Sequence, residues 1–217
     1  VDELSYDRYN VNADRIYRLT IHARLNGNEG VYATSEGPML PFIKGKFPQI
    51  ENSVRVVDAN GLFASPSKFY FKKGDQSILE HNVVYTETPF FNMFTLPMVQ
   101  GNAATALNDP HSAVITESAA KKYFNKVDVV GETLTMNDTS IYKITGVIKD
   151  VSQQSHFNYD FFLSFNTLPE STVQGWGYSG VHNYVLVKPN ADIKNLEKQI
   201  TAIDREHSFN PSAYTTG

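Results

Sequence analysis

"DPHSAVITESAAKKYFNKVDVVGETL" (residues 109–134) holds a strand, a capped helix, a stop and a second strand in one run, and the rest of the chain is read outward from it. Ala113, Val114 and Ile115 are a short apolar, largely β-branched run bounded by Pro110, which suits a buried strand. Thr116 fits a helix N-cap, and Glu117 sits where the helix dipole favours negative charge. Ala119, Ala120, Tyr123 and Phe124 recur at helical spacing and are expected to face a core. Asn125 tolerates the left-handed conformation of a helix end, and Lys121, Lys122 and Lys126 lie near the C-terminal carbonyls. The unit contains no reactive group and reads first as a packing device.

Composition removes several function classes. The chain has 217 residues, 41% of them apolar, enough for one large or two small cores. Its net charge of -4 is mild and its Lys and Arg are scattered, so the basic footprint of a nucleic-acid binder is missing. With no cysteine, thiolate catalysis, disulfide scaffolds and cysteine-ligated metals are out. No apolar run reaches the eighteen or so residues that would cross a bilayer. The start at "VDELSYDRYN", without an initiator Met or a signal peptide, suggests an excised fragment.

Elements alternate on both sides of the opening stretch. "RIYRLTIHARLNGNEGVYAT" (15–34) sets Tyr17, Leu19, Ile21 and Ala23 on one face of a strand and Arg18, Thr20 and His22 on the other. Asn26-Gly27 is a favoured hairpin turn, with a second strand expected near Val31 to Thr34. In "GPMLPFIKGKFP" Pro38 can open a helix and Pro48 must end it, with Leu40, Ile43 and Phe47 inward. Strands are expected around Ser53–Val57, Lys68–Lys72 and Val83–Tyr85, with a turn at Gly74-Asp75. Asn137-Asp138 predicts a turn into "IYKITGVIKDV", where Tyr142, Ile144 and Ile148 share a face and Gly146 marks a bulge or a close backbone approach. A strand in "NYVLV" and a last helix capped by Asp192 follow, with Ile193, Leu196, Ile200 and Ile203 as its apolar stripe. The fold class is α+β.

The search for chemistry is thin. There is no G-x-S-x-G, no H-E-x-x-H and no Walker loop; "KGKFP" lacks the spacing and the Ser or Thr. His22, His81, His111, His156, His182 and His207 include no i, i+4 pair, so no helical metal site is predicted. Asp150 and Asp160 flank His156 and could orient a general base, or the segment is a loop whose Ser and His bond to local backbone. Trp176 in "VQGWGYSGVHN" is either an exposed anchor for a partner or a residue packed over a core edge.

"ELSYDRYNVNADRIYRLT", "PMLPFIKGKFPQIENSVRV", "PFFNMFTLPMVQGNAATALNDPHSAVITESAAKKYFNKVDVVGETL", "YKITGVIKDV" and "SHFNYDFFLSF" occur in that order, and together they resemble the MacB-like periplasmic core domain of FtsX-like ABC transporter permeases in its Bacteroidetes-type form. The resemblance implies mixed sheets with packed helices: a porter-like α/β part from residues 1–84 and 156–217, and an inserted β-rich, sabre-like part from 85–155. It implies a periplasmic domain of an inner-membrane protein, with no catalytic or metal-binding residues and no cofactor. The partners it implies are the membrane helices of the domain's own permease, a cytoplasmic ATPase subunit or domain, and a periplasmic adaptor, lipoprotein or cargo. No nucleic acid is among them. Both ends of the domain would be membrane-proximal, and the helices near 38–47 and 192–206 would share one part. Efflux, lipoprotein release or partner engagement, driven by conformational change, is the function implied, with Trp176 and Tyr178 as candidate partner-binding residues. A stand-alone extracytoplasmic ligand-binding or sensor-like module is the alternative.

Overall fold

A computed structural model describes residues 10–25, 28–59, 68–151, 155, 157–169, 175–176 and 180–207. The first half runs β1 (Ile16–Leu19), β2 (Ile21–Leu25), β3 (Asn28–Tyr32), α1 (Met39–Ile43), β4 (Ile50–Asp58), β5 (Phe69–Lys73), β6 (Gln76–Glu80), β7 (Val83–Thr86), α2 (Phe90–Met93) and β8 (Met98–Gly101). The second half runs β9 (Ser112–Thr116), α3 (Glu117–Phe124), β10 (Thr133–Met136), β11 (Ser140–Ile148), β12 (Phe161–Ser164), β13 (His182–Val187) and α4 (Ile193–His207). The fold is mixed α+β. It divides into two compact units, Val1–Ala13 with Val56–Leu168, and Asp14–Arg55 with Pro169–Gly217.

These units break the chain elsewhere than at residues 85 and 155. The reason is strand pairing: β12 lies parallel to β7 on one side and antiparallel to β9 on the other, so residues 83–86, 112–116 and 161–164 are held together. The two helices expected to share one part, α1 and α4, both lie in the second unit.

In the first unit the strand order is β4-β7-β12-β9-β11-β10-β5-β6, with β8 added on β11. β7 with β12 and β9 with β11 are parallel. Every residue of β7, β9 and β12 is buried, as expected of strands covered on both faces. The opening stretch folds as its caps dictate. The Thr116 hydroxyl accepts from the Ala119 amide at 3.2 Å, and Asn125 takes the left-handed conformation at φ 55°. Ala119, Ala120 and Tyr123 are buried, but Phe124 is only half-buried, beneath the Lys73 ammonium. Tyr123 and Lys122 both donate to the buried Glu80 carboxylate, at 2.6 and 2.7 Å, which ties α3 to β6. Burial, with that carboxylate beside it, pushes the Tyr123 hydroxyl up well beyond its ordinary range.

Gly146 interrupts β11 with a register shift, and β8 supplies the reason. Gly101, at φ +89°, lies so close to the Thr145 carbonyl and the Gly146 Cα that a Cβ there would collide with backbone. The two glycines face each other across the β8–β11 pair, so the local signal at Gly146 reports a close approach to a distant strand.

In the second unit the strand order is β1-β13-β4, with β4 passing into the first unit after Arg55, and β2 and β3 form a separate antiparallel pair. The expected single strand from Tyr17 to Ala23 is therefore two strands in two sheets, broken at Thr20. Tyr17 and Ile21, placed on one face by their spacing, differ accordingly: Tyr17 is 39% exposed and Ile21 is buried. Leu25 pairs with Asn28, so the second strand starts at Asn28 rather than near Val31; Asn26 and Gly27 lie outside the described residues. α1 ends before Gly45, which has φ +80°, rather than running to Pro48; Leu40 and Ile43 are buried and Phe47 is half-buried. The core consists of Met39, Leu40 and Ile43 of α1, Val185 and Val187 of β13, and Leu196 and Ile200 of α4. Ile193 and Ile203 pack at its margin, and Asp192 caps α4 by accepting from the Asn195 amide at 3.0 Å.

Candidate partner-binding site

The second unit holds an open cavity of about 590 Å³, inside the range of small-molecule and peptide sites. One wall is α4. Ile193, Leu196, Glu197, Ile200, Thr201 and Asp204 line the cavity at alternating steps of three and one, a single helical face. The opposite wall is β1. Tyr17, Arg18, Leu19 and the next residue, Thr20, all line it in succession. Tyr17 pairs with Val185 of the floor, and side chains alternate between the faces of a strand, so consecutive lining residues carry the cavity from the sheet face under α4 out to the β1 margin. β1 ends the strand order with β13 as its partner, so among the described residues its other side is an edge. Met39, Val185 and Val187 form an apolar floor.

A buried polar contact places that floor. Asn183 of β13 donates from Nδ2 to the Ser35 hydroxyl and to the Glu36 carbonyl, both at 2.8 Å, and fixes the turn leading into α1. Ser35 and Val181 add a bridge between the same segments. The charges on the walls are Arg18, Glu197 and Arg205, all exposed, and Asp204, which is buried and engaged within the fold. Neither arginine makes an ion pair among the described residues, whereas Arg15, in the turn just before the same strand, donates to Glu51 at 2.7 Å.

Trp176 is half-buried beside α1 and the end of α4. Its ring stacks on His207 at 4.6 Å and meets Phe42 edge-on at 5.7 Å, and Phe42 lies 4.5 Å from His207. Tyr178, the other candidate residue, lies outside the described residues. His156 also lies outside them. Asp150 accepts from the Ser118 amide and hydroxyl at 2.9 and 2.7 Å, and Asp160 accepts from Asn82 and Thr116 at 3.0 and 3.2 Å. Both aspartates are thus occupied at the N-terminus of α3. Among the described residues no three His, Asp or Glu side chains gather as a metal site would require.

Sequence reasoning missed the cavity. The Ile193–Ile203 stripe was legible, but it reads as a helix sealed onto a sheet, and nothing local to 16–20 marks that segment as an edge strand.

The chain matches the family model of the MacB-like periplasmic core domain over residues 2–203. It therefore belongs to that family, whose members are periplasmic domains of ABC transporter permeases. Among curated proteins none matches the chain. Three solved structures share the fold. A domain assigned to a permease protein from Porphyromonas gingivalis has a TM-score of 0.77 and 22% identity, over 92% of this chain and 84% of that one. The periplasmic region of MacB from Actinobacillus actinomycetemcomitans has a TM-score of 0.61 and 15% identity, over 88% and 83%. The extracellular domain of the noncanonical ABC-type transporter YknZ from Gram-positive bacteria has a TM-score of 0.59 and 12% identity, over 88% and 93%.

Proposed function

Because the chain belongs to the MacB-like periplasmic core domain family, we propose that it is a non-catalytic module coupling ATP hydrolysis by a cytoplasmic partner to efflux, lipoprotein release or partner engagement through conformational change. The family match over residues 2–203 is the observation that carries this reading. Two further features support it: the chain forms two compact units, and the acids examined for catalysis are spent on capping a helix. A shape-changing domain needs rigid parts and surfaces for partners rather than a reactive group. In this reading α4 leads toward the membrane, and its seating through Leu196 and Ile200 makes the second unit follow it as one body. Trp176, whose ring stacks on His207 of that helix, is a secondary partner contact in this reading, and Tyr178 remains the candidate that the sequence pairs with it.

The test is reconstitution of the full-length permease with its ATPase, with and without this domain. Deletion is expected to preserve basal ATP hydrolysis and abolish transport or release. Transport that survives the deletion sinks the reading. The cavity beside α4 favours, as a second reading, a ligand-binding or sensor-like module. A full-length sequence without membrane helices, and without a neighbouring ATPase gene, would select that one.

A further inference from the structure

We propose that the cavity between β1 and α4 is a peptide groove, in which an extended segment of a partner protein adds as a strand to the β1 edge. The inference rests on reading the domain as a partner-engaging module and names the chemistry of that partner. An edge strand presents a row of backbone N–H and C=O groups that only another strand satisfies throughout. Along β1 all of Tyr17, Arg18, Leu19 and Thr20 line the cavity, so the edge shown by the described residues lies at its margin. The facing wall is the apolar stripe of α4, so alternate side chains of a chain bonded to β1 lie on the sheet face that α4 covers, toward Leu196 and Ile200. A strand edge paired with a helix-lined apolar trough is the arrangement in which backbone pairing gives affinity and pockets for alternate side chains give selectivity.

Charge indicates what the partner carries on its other positions. The solvent-facing charges of the walls are two arginines and one glutamate, and Arg18 and Arg205 have no ion-pair partner among the described residues. A residue opposite Arg18 on an added strand would sit at cross-strand distance, where opposite charges stabilise. The groove therefore fits an extended segment with apolar residues at alternate positions and Asp or Glu between them.

The experiment pans a display library of random peptides against the whole chain, then measures enriched peptides in solution by fluorescence anisotropy and by amide chemical shifts. Enriched peptides are expected to alternate apolar and polar residues, to carry Asp or Glu, and to perturb the amides of Tyr17–Thr20. Thr201→Trp fills the groove from α4 and is expected to weaken binding about tenfold or more. Arg18→Glu, on an exposed strand position, is expected to weaken it by about fivefold at most. Should Thr201→Trp fail to fold, Arg18→Glu decides, because unchanged affinity there overturns the charge-directed groove. Three other results also overturn the proposal. These are no enrichment beyond that on the Thr201→Trp chain, perturbation centred elsewhere, and a concentration-dependent dimer or a retained acyl-chain amphiphile that Thr201→Trp displaces. The assay needs neither ATPase nor membrane. A groove that fails while deletion of the domain still abolishes transport leaves the coupling reading intact, and the reverse outcome separates them the other way.

Discussion

The two units treat a helix on a sheet in opposite ways. In the first, α3 is capped at both ends, its side chains tie to Glu80 of β6, and the strand that leads into it, β9, is buried on all five residues. In the second, α4 covers only part of its sheet. β1 at the sheet's edge has no fully buried residue, and the space between strand and helix stays open. The contrast separates a finished core from an unfinished one. The first unit buries its central strands β7, β9 and β12 and spends Asp150 and Asp160 at the start of α3, whereas the second leaves backbone edge, apolar wall and two arginines together.

Substitutions can break or sharpen that contrast, and the largest effect belongs to the closed side. Phe162 is fully buried in the first unit and its ring packs against Phe90, Phe91 and Tyr159. Phe162→Ala should cost about 3 to 5 kcal/mol, read from urea unfolding. A cost no larger than that of Leu196→Ala would erase the distinction. Leu196→Ala in the second unit should cost about 2 to 3 kcal/mol, near the lower end for its type, because the cavity beside it already exists. Next comes Thr116→Ala, which removes the N-cap of α3 and a hydrogen bond to Asp160; about 1 kcal/mol is expected from the same measurement.

The smallest effect is electrostatic. Hydrogen bonds from Lys73 and then Lys126 hold the half-buried Glu132 carboxyl below its ordinary value of 4.5. A carboxylate whose pKa is lower folded than unfolded binds fewer protons in the native state. Its stabilisation is therefore present above pH 4.5 and lost as pH falls through the folded value. Glu132→Gln should flatten the acid side of the stability profile and leave neutral-pH stability little changed, since surface pairs contribute little. An unchanged acid limb would show that this triad does not contribute.

Much of the first unit was legible because its signals are local. A β-branched run, a threonine cap, an alanine-rich inward face and an asparagine at the helix end each state their own conformation within a few residues. The turns at Gly74 and Asn137-Asp138 were legible for the same reason: both need left-handed backbone, which glycine, asparagine and aspartate tolerate. β6, following the Gly74 turn, and β8 carry weak patterns and were missed. The second unit failed the local reading at Tyr17–Ala23, where one alternating run serves two sheets. Alternation specifies faces within a strand and says nothing of which neighbour the strand will bond, so the break at Thr20 lies beyond its reach. The candidate site shared that fate. The α4 stripe was visible, whereas the groove exists only because β13 pairs with β1 on one side and leaves the other side of β1 at the edge.

By itself, then, the sequence determined the α+β class, the caps, the turns and the amphipathic last helix, since each depends on the covalent and steric preferences of neighbouring residues. Tertiary structure alone decided that residues 56–168 close as one unit, that Gly101 needs its missing side chain, and that β1 ends as an edge beside an apolar wall. Those outcomes depend on pairings between segments far apart in the chain, where the free energy belongs to the contact and neither partner carries it alone.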